Sequence, residues 1–141
     1  MSKRSVKELL RGVPFFAECS EKDLAQVSRL TTTVSVPAGK AVASQGALGQ
    51  EFFVIVEGTV TVAINDRTVA RLGPGDFFGE IALLDGRPRT ATVTAETDLE
   101  IEVVGHRDFV TLVQTVPSIT ENILKGVAAR LRDADTVLGA S

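Results

Sequence analysis

The spacing of apolar positions changes twice along the chain. Residues 5–12, "SVKELLRG", and 20–30, "SEKDLAQVSRL", read as two helices, and Ser20 with Asp23 three positions on has the form of a capping box. From residue 31 the texture becomes β-branched residues broken by glycine, through "TTTVSVPAGK", "EFFVIVEG" and "TVTVAIND". Val60, Val62 and Ile64 share one face, with Thr59, Thr61 and Ala63 on the other, which predicts a half-buried strand. Gly58, "NDR" at 65–67 and "GPGD" at 73–76 punctuate the strands as turns. Alternation returns in "RTATVTA", where Ala91, Val93 and Ala95 share a face, and in "LEIEVV", where Leu99, Ile101 and Val103 do. Helical spacing resumes with Phe109, Leu112, Val113 and Val116. Pro117 interrupts it, and a last helix over about 118–134 carries the stripe Ile119, Ile123, Val127 and Leu131.

Many short strands framed by helices at both ends predict a mainly β domain, an antiparallel barrel or roll with helical flanks. Its parts are N-terminal helices over about 5–30, a roll over about 31–104 and C-terminal helices over about 106–134. The length of 141 residues suits one domain spanning 1–141, and 44% apolar with 23% charged residues allows a core. With no secretory signal and no apolar run of membrane-spanning length, a cytoplasmic protein is expected, without a membrane partner. Cys19 is the only cysteine and His106 the only histidine. A thiolate metal cluster, a multi-histidine zinc site and most histidine-dependent catalytic triads are therefore excluded, which argues against an enzyme and against a bound metal. The net charge of −3 argues against a nucleic-acid partner.

The candidate chemistry lies in "GDFFGEIALLDGRPRTATV", residues 75–93. On a regular strand begun at Arg89, the odd positions face inward, so the guanidinium points into the roll and needs an anion. Two accounts fit. In one, Glu80 is a favourable acid at a helix start and pairs with Arg89 in an empty core. In the other, Gly79 permits a tight turn, the first amides of "EIALL" have no helical partners, and the small Ala82 lets an anion approach them while Arg89 closes over it. A sugar phosphate suits that second arrangement, with Glu80 accepting from a sugar hydroxyl and the Thr90 hydroxyl adding a contact.

"FGEIALLDGRPRTATV" closely resembles the phosphate-binding cassette of cyclic nucleotide-binding domains, roughly F-G-E-x-A-L followed by P-R-x-A-T or P-R-x-A-S. The resemblance extends through "VEGTVTV", "LGPGDFFGE" and the closing helices, from about residue 10 to 133. It implies an antiparallel β-roll, jelly-roll-like, with helices at both ends and a short cassette helix between. It further implies that Gly79, Ile81 and Ala82 offer backbone contacts, that Glu80 binds the ribose 2'-hydroxyl, and that Arg89 pairs with the cyclic phosphate. Thr90 and Ala91 complete the ligand-binding set. Threonine at the position of Thr90 favours cGMP in eukaryotic members, whereas bacterial relatives with serine or threonine there bind cAMP, so cAMP is the expected ligand and no other cofactor is implied.

In this family the last helix moves over the pocket, often bringing a residue that covers the base. Arg130 and Arg132 lie off the apolar stripe and are candidates for that lid, or simply solvated surface charges. Relatives of the catabolite activator or protein kinase A regulatory-subunit type join the module to further domains. Here the expectation is a stand-alone bacterial-type receptor that signals to a separate protein effector, or a homodimer through the C-terminal helix. The alternatives are an interaction module that no longer binds nucleotide and a small barrel enzyme, which the scarcity of histidine disfavours.

Overall fold

The computed structural model describes residues 6–137. Two helices, α1 (Val6–Arg11) and α2 (Glu21–Leu30), flank a short 3-10 turn at Pro14–Phe16. Eight strands follow: β1 (Thr32–Val36), β2 (Ala41–Ala43), β3 (Glu51–Glu57), β4 (Val60–Ile64), β5 (Arg67–Leu72), β6 (Phe77–Phe78), β7 (Thr92–Ala95) and β8 (Leu99–Gly105). The helix α3 (Glu80–Asp85) separates β6 from β7, and α4 (His106–Thr115) and α5 (Pro117–Val137) close the chain. Residue 5, placed in the first helix by sequence, lies outside the described residues. The expected capping box forms: Ser20 Oγ accepts from the Asp23 amide at 3.1 Å, and Asp23 Oδ2 accepts from the Ser20 amide at 3.3 Å.

Every strand pairing is antiparallel, and the strands form two four-stranded sheets, ordered β1-β8-β3-β6 and β2-β7-β4-β5. Phe53, Ile55, Phe78, Leu99 and Ile101 of the first sheet meet Ala43, Val60, Val93 and Ala95 of the second, filling the space between them. The opposite face of the first sheet, with Phe52, Val54, Val56 and Val104, packs on the helices through Leu10, Phe15, Val27, Phe109 and Ile119. Because β3 is covered on both sides, all five residues from Phe52 to Val56 are buried, which explains its unbroken apolar run. Among the described residues no helix is long and apolar enough to cross a membrane.

Two expectations are corrected. The strand read from Arg89 begins only at Thr92, so Arg89 lies in the preceding loop and its orientation is not set by strand alternation. Leu131 does not belong to the buried stripe of α5: Ile119 and Ile123 are buried and Val127 partly so, but Leu131 is 63% exposed. At Leu131 the helix turns this face to solvent, while Arg130 and Asp133 face the cavity.

Glu102 of β8 is 0% exposed, because helices cover its face of the strand. Its carboxylate accepts from Thr31 Oγ1 at 2.9 Å and Thr33 Oγ1 at 2.6 Å. Burial pushes the carboxyl above its ordinary value of 4.5, against the pull of the two hydroxyls. An acid raised on folding contributes stability that is complete below its unfolded value and lost as pH rises through the folded value. Glu102→Gln should therefore flatten the decline in stability as pH rises above the ordinary carboxyl value of 4.5, the threonines turning to serve an amide instead. Denaturation midpoints across that range check this; an unchanged slope contradicts it.

Candidate functional site

The site is built where β6 gives way to α3. Gly79 turns the chain there with φ of 95°, in the left-handed region, and a β-carbon at this position would lie 2.7 Å from the Glu51 carbonyl oxygen. The turn starts α3 at once, so its first amides lack helical acceptors. Gly79, Glu80, Ile81 and Ala82 line a cavity of about 360 Å³ in the mouth of the roll. Val62 of β4, Leu72 of β5 and Val93 of β7 supply its apolar wall. That volume is within the range that holds small molecules.

Arg89, Thr90 and Ala91 line the same cavity, so the structure brings together the seven residues singled out as ligand-binding. The main chain of Arg89 is held by the loop before β3: its amide donates to the Ala47 carbonyl at 2.8 Å, and its carbonyl accepts from the Gly46 amide at 2.8 Å. Its guanidinium lies 5.4 Å from the Phe53 ring centroid, and Nη2 donates to the Glu51 carbonyl at 3.3 Å. Burial lowers its pKa while the Glu51 carboxylate opposes the shift, and an arginine stays charged throughout. None of the ion pairs among the described residues involves Arg89.

The expected alternative, Glu80 neutralising Arg89, is therefore overturned. Glu80 is 2% exposed, and its Oε1 accepts instead from Nη1 of Arg130 on α5 at 2.8 Å. Burial raises the Glu80 carboxyl, and the Arg130 charge and hydrogen bond pull it back down. Arg130 also donates to the Phe77 carbonyl and lies 4.4 Å above the Phe77 ring. Arg132, the other lid candidate, is exposed and does not line the cavity, whereas Asp133, which sequence reasoning passed over, does. The signal for Asp133 was its spacing of three from Arg130, which puts both on one helical face.

With this geometry in view, the family model of the cyclic nucleotide-binding domain matches residues 33–116. The chain belongs to the cyclic nucleotide-binding domain family. It is 40% identical over 123 residues to a cyclic nucleotide-gated potassium channel of Rhizobium etli, covering 87% of this chain and 34% of the channel. The crystal structure of the Thermus thermophilus catabolite activator protein superposes with a TM-score of 0.79 at 31% identity, covering 89% of this chain and 62% of that one. A cyclic nucleotide-binding domain from Methylobacillus flagellatus shares the fold, with a TM-score of 0.78 at 21% identity over 97% of this chain and 83% of the other. The chain thus spans about a third of the channel's length and under two thirds of the activator's. The β-roll with flanking helices expected from sequence is the observed fold.

Arg130 ties α5 to the floor of the cavity, and its removal leaves a buried carboxylate without its cation. Arg130→Ala should lower stability by about 1–2 kcal/mol at neutral pH, a figure discounted because the arginine is 38% exposed. Glu80→Gln in the same background should restore part of the loss, since a neutral amide is cheaper to bury. Chemical denaturation of the single and double variants checks this. An Arg130→Ala midpoint equal to wild type contradicts it.

Proposed function

We propose that this chain is a non-enzymatic receptor for a cyclic nucleotide, cAMP in preference to cGMP, acting in the cytoplasm and passing occupancy through α5 to a separate partner. One observation carries the reading: Arg89 is a partly desolvated cation at the cavity wall that donates to a carbonyl, lies over an aromatic ring and takes part in no ion pair among the described residues, the Glu51 carboxylate acting on it only at longer range. A cation so placed favours a ligand that brings its own negative charge. The cyclic phosphate takes that place, with backbone contacts from Gly79, Ile81 and Ala82 and a hydroxyl contact from Thr90.

Glu80 serves the ribose 2'-hydroxyl. Its pairing with Arg130 does not prevent this, because a carboxylate has about four acceptor positions and Arg130 occupies one oxygen. Ribose, Glu80, Arg130 and α5 then form one chain of contacts, so Arg130 rather than Arg132 is the lid residue. Occupancy moves α5 only insofar as ligand contacts differ between its positions. The preference for cAMP draws support from the similarity, at 31% identity, to the cyclic AMP receptor protein of Thermus thermophilus. The partner is a protein effector or a second copy; Leu124 and Leu131, both exposed and seven residues apart on α5, offer a second copy an apolar strip.

A ligand of about two dozen non-hydrogen atoms at ~0.3 kcal/mol each gives a Kd near 10 μM or tighter. Calorimetric titration with cAMP and cGMP should show saturable binding in that range. Arg89→Ala or Arg89→Leu should weaken it about 100-fold or more, the loss of a two-pronged, charge-assisted contact. Binding that survives Arg89→Ala sinks the assignment of the phosphate site. A second reading, an interaction module without ligand, is favoured by the existing Glu80–Arg130 pair. It predicts a melting temperature that does not rise with either nucleotide, whereas a receptor at 100 times Kd gains about 2.7 kcal/mol.

A further inference from the structure

We infer that Gly126 is a positioning residue of the site: it sets how closely α5 approaches β6, and that approach decides whether Arg130 reaches Glu80. Its effect on affinity rests on the reading of the cavity as a cyclic nucleotide site with Arg130 as the lid. Asn122, Gly126 and Arg130 follow one another at intervals of four along α5 and so share one face. Each meets a different part of the surface beneath. Asn122 Nδ2 donates to the Phe15 carbonyl at 2.9 Å, Arg130 donates to the Phe77 carbonyl and to Glu80, and Gly126, between them, lies against the Phe77 ring. A β-carbon at Gly126 would sit 2.5 Å from Cε2 and 2.6 Å from Cζ of that ring, closer than nonbonded carbon atoms approach. Glycine is unfavourable in a helix interior relative to alanine, and the φ of Gly126 is not in the left-handed region. Space is therefore what the position requires.

The ring has little freedom to yield. Phe77 is 4% exposed, its centroid lies 5.4 Å from that of Phe15 and 5.7 Å from that of Phe52, and the Arg130 guanidinium lies 4.4 Å above it. Gly126→Ala therefore moves α5 outward or turns the ring from under Arg130, and either change takes away part of the seat that holds the guanidinium. Ile119 and Ile123 anchor the helix before Gly126, and among the described residues none after Val127 is buried in the core, so the displacement falls on the turns that carry Arg130. Glu80 then loses the charge and the hydrogen bond that hold its carboxyl down against the upward push of burial. The lid loses its one ionic tie to the cavity floor, which weakens binding about 10-fold.

The test compares wild type, Gly126→Ala, Phe77→Leu and the double variant by carbon-13 NMR titration of the Glu80 carboxyl and by calorimetric titration with cAMP. Leucine ends at Cδ, so Phe77→Leu keeps the main-chain carbonyl and removes the two ring atoms in the way. Gly126→Ala should raise the Glu80 titration midpoint toward that of Arg130→Ala and weaken cAMP binding about 10-fold. In the Phe77→Leu background the same substitution should change neither. A Glu80 midpoint that Gly126→Ala leaves unmoved overturns the inference, as does an equal shift in the Phe77→Leu background. Should Gly126→Ala fail to fold, Phe77→Leu and the double variant decide alone, equal midpoints supporting the inference and a shift in the double variant overturning it. If wild type binds neither cyclic nucleotide, the proposed function fails, and the Glu80 midpoint still decides whether Gly126 positions Arg130.

Discussion

Holding a partly buried cation in place without an ion pair is the constraint around which this cavity is organised. Arg89 cannot lose its proton, and moving it partly out of water is unfavourable unless something compensates. The compensation here is modest: one carbonyl, one aromatic face and a main chain pinned at both ends. The guanidinium is therefore already in position, with the ordering of its side chain completed on folding, and its charge is left without an ionic partner among the described residues. Such preorganisation lowers what an incoming anion must spend on arranging its receptor. It also explains why the neighbouring carboxylate is engaged elsewhere. Had Glu80 paired with Arg89, the charge that attracts a phosphate would have been cancelled.

The same division of charge links the cavity to the end of the chain. Glu80 belongs to α3 and Arg130 to α5, fifty residues later, and their ion pair joins the floor of the cavity to the last helix. Phe77 reinforces the link, offering its carbonyl and its ring to the same guanidinium. Two arginines thus take separate places: Arg89 lines the cavity in no ion pair among the described residues, and Arg130 joins α3 to α5. That last helix is anchored by Ile119 and Ile123 near its start and largely exposed beyond Val127.

Much of this was legible in the chain itself. Alternation located β4 and the inner face of β7, the Ser20 and Asp23 spacing located the start of α2, and the run from Phe78 to Val93 carried the cassette. The misreadings share a cause. Period-two alternation was carried back from β7 to Arg89, which lies in the loop before the strand and is held there by Gly46 and Ala47. Local reasoning likewise paired Glu80 with the nearest arginine in sequence, because nothing in a linear pattern foretells that α5 folds back to deliver Arg130.

The structure of this protein with cAMP bound is the most direct measurement of the central claim. The account predicts the cyclic phosphate within hydrogen-bond distance of the Arg89 guanidinium, that side chain keeping its place over Phe53, and the ribose 2'-hydroxyl on Glu80. A nucleotide bound elsewhere, or bound in the cavity with its phosphate turned away from Arg89, would contradict it.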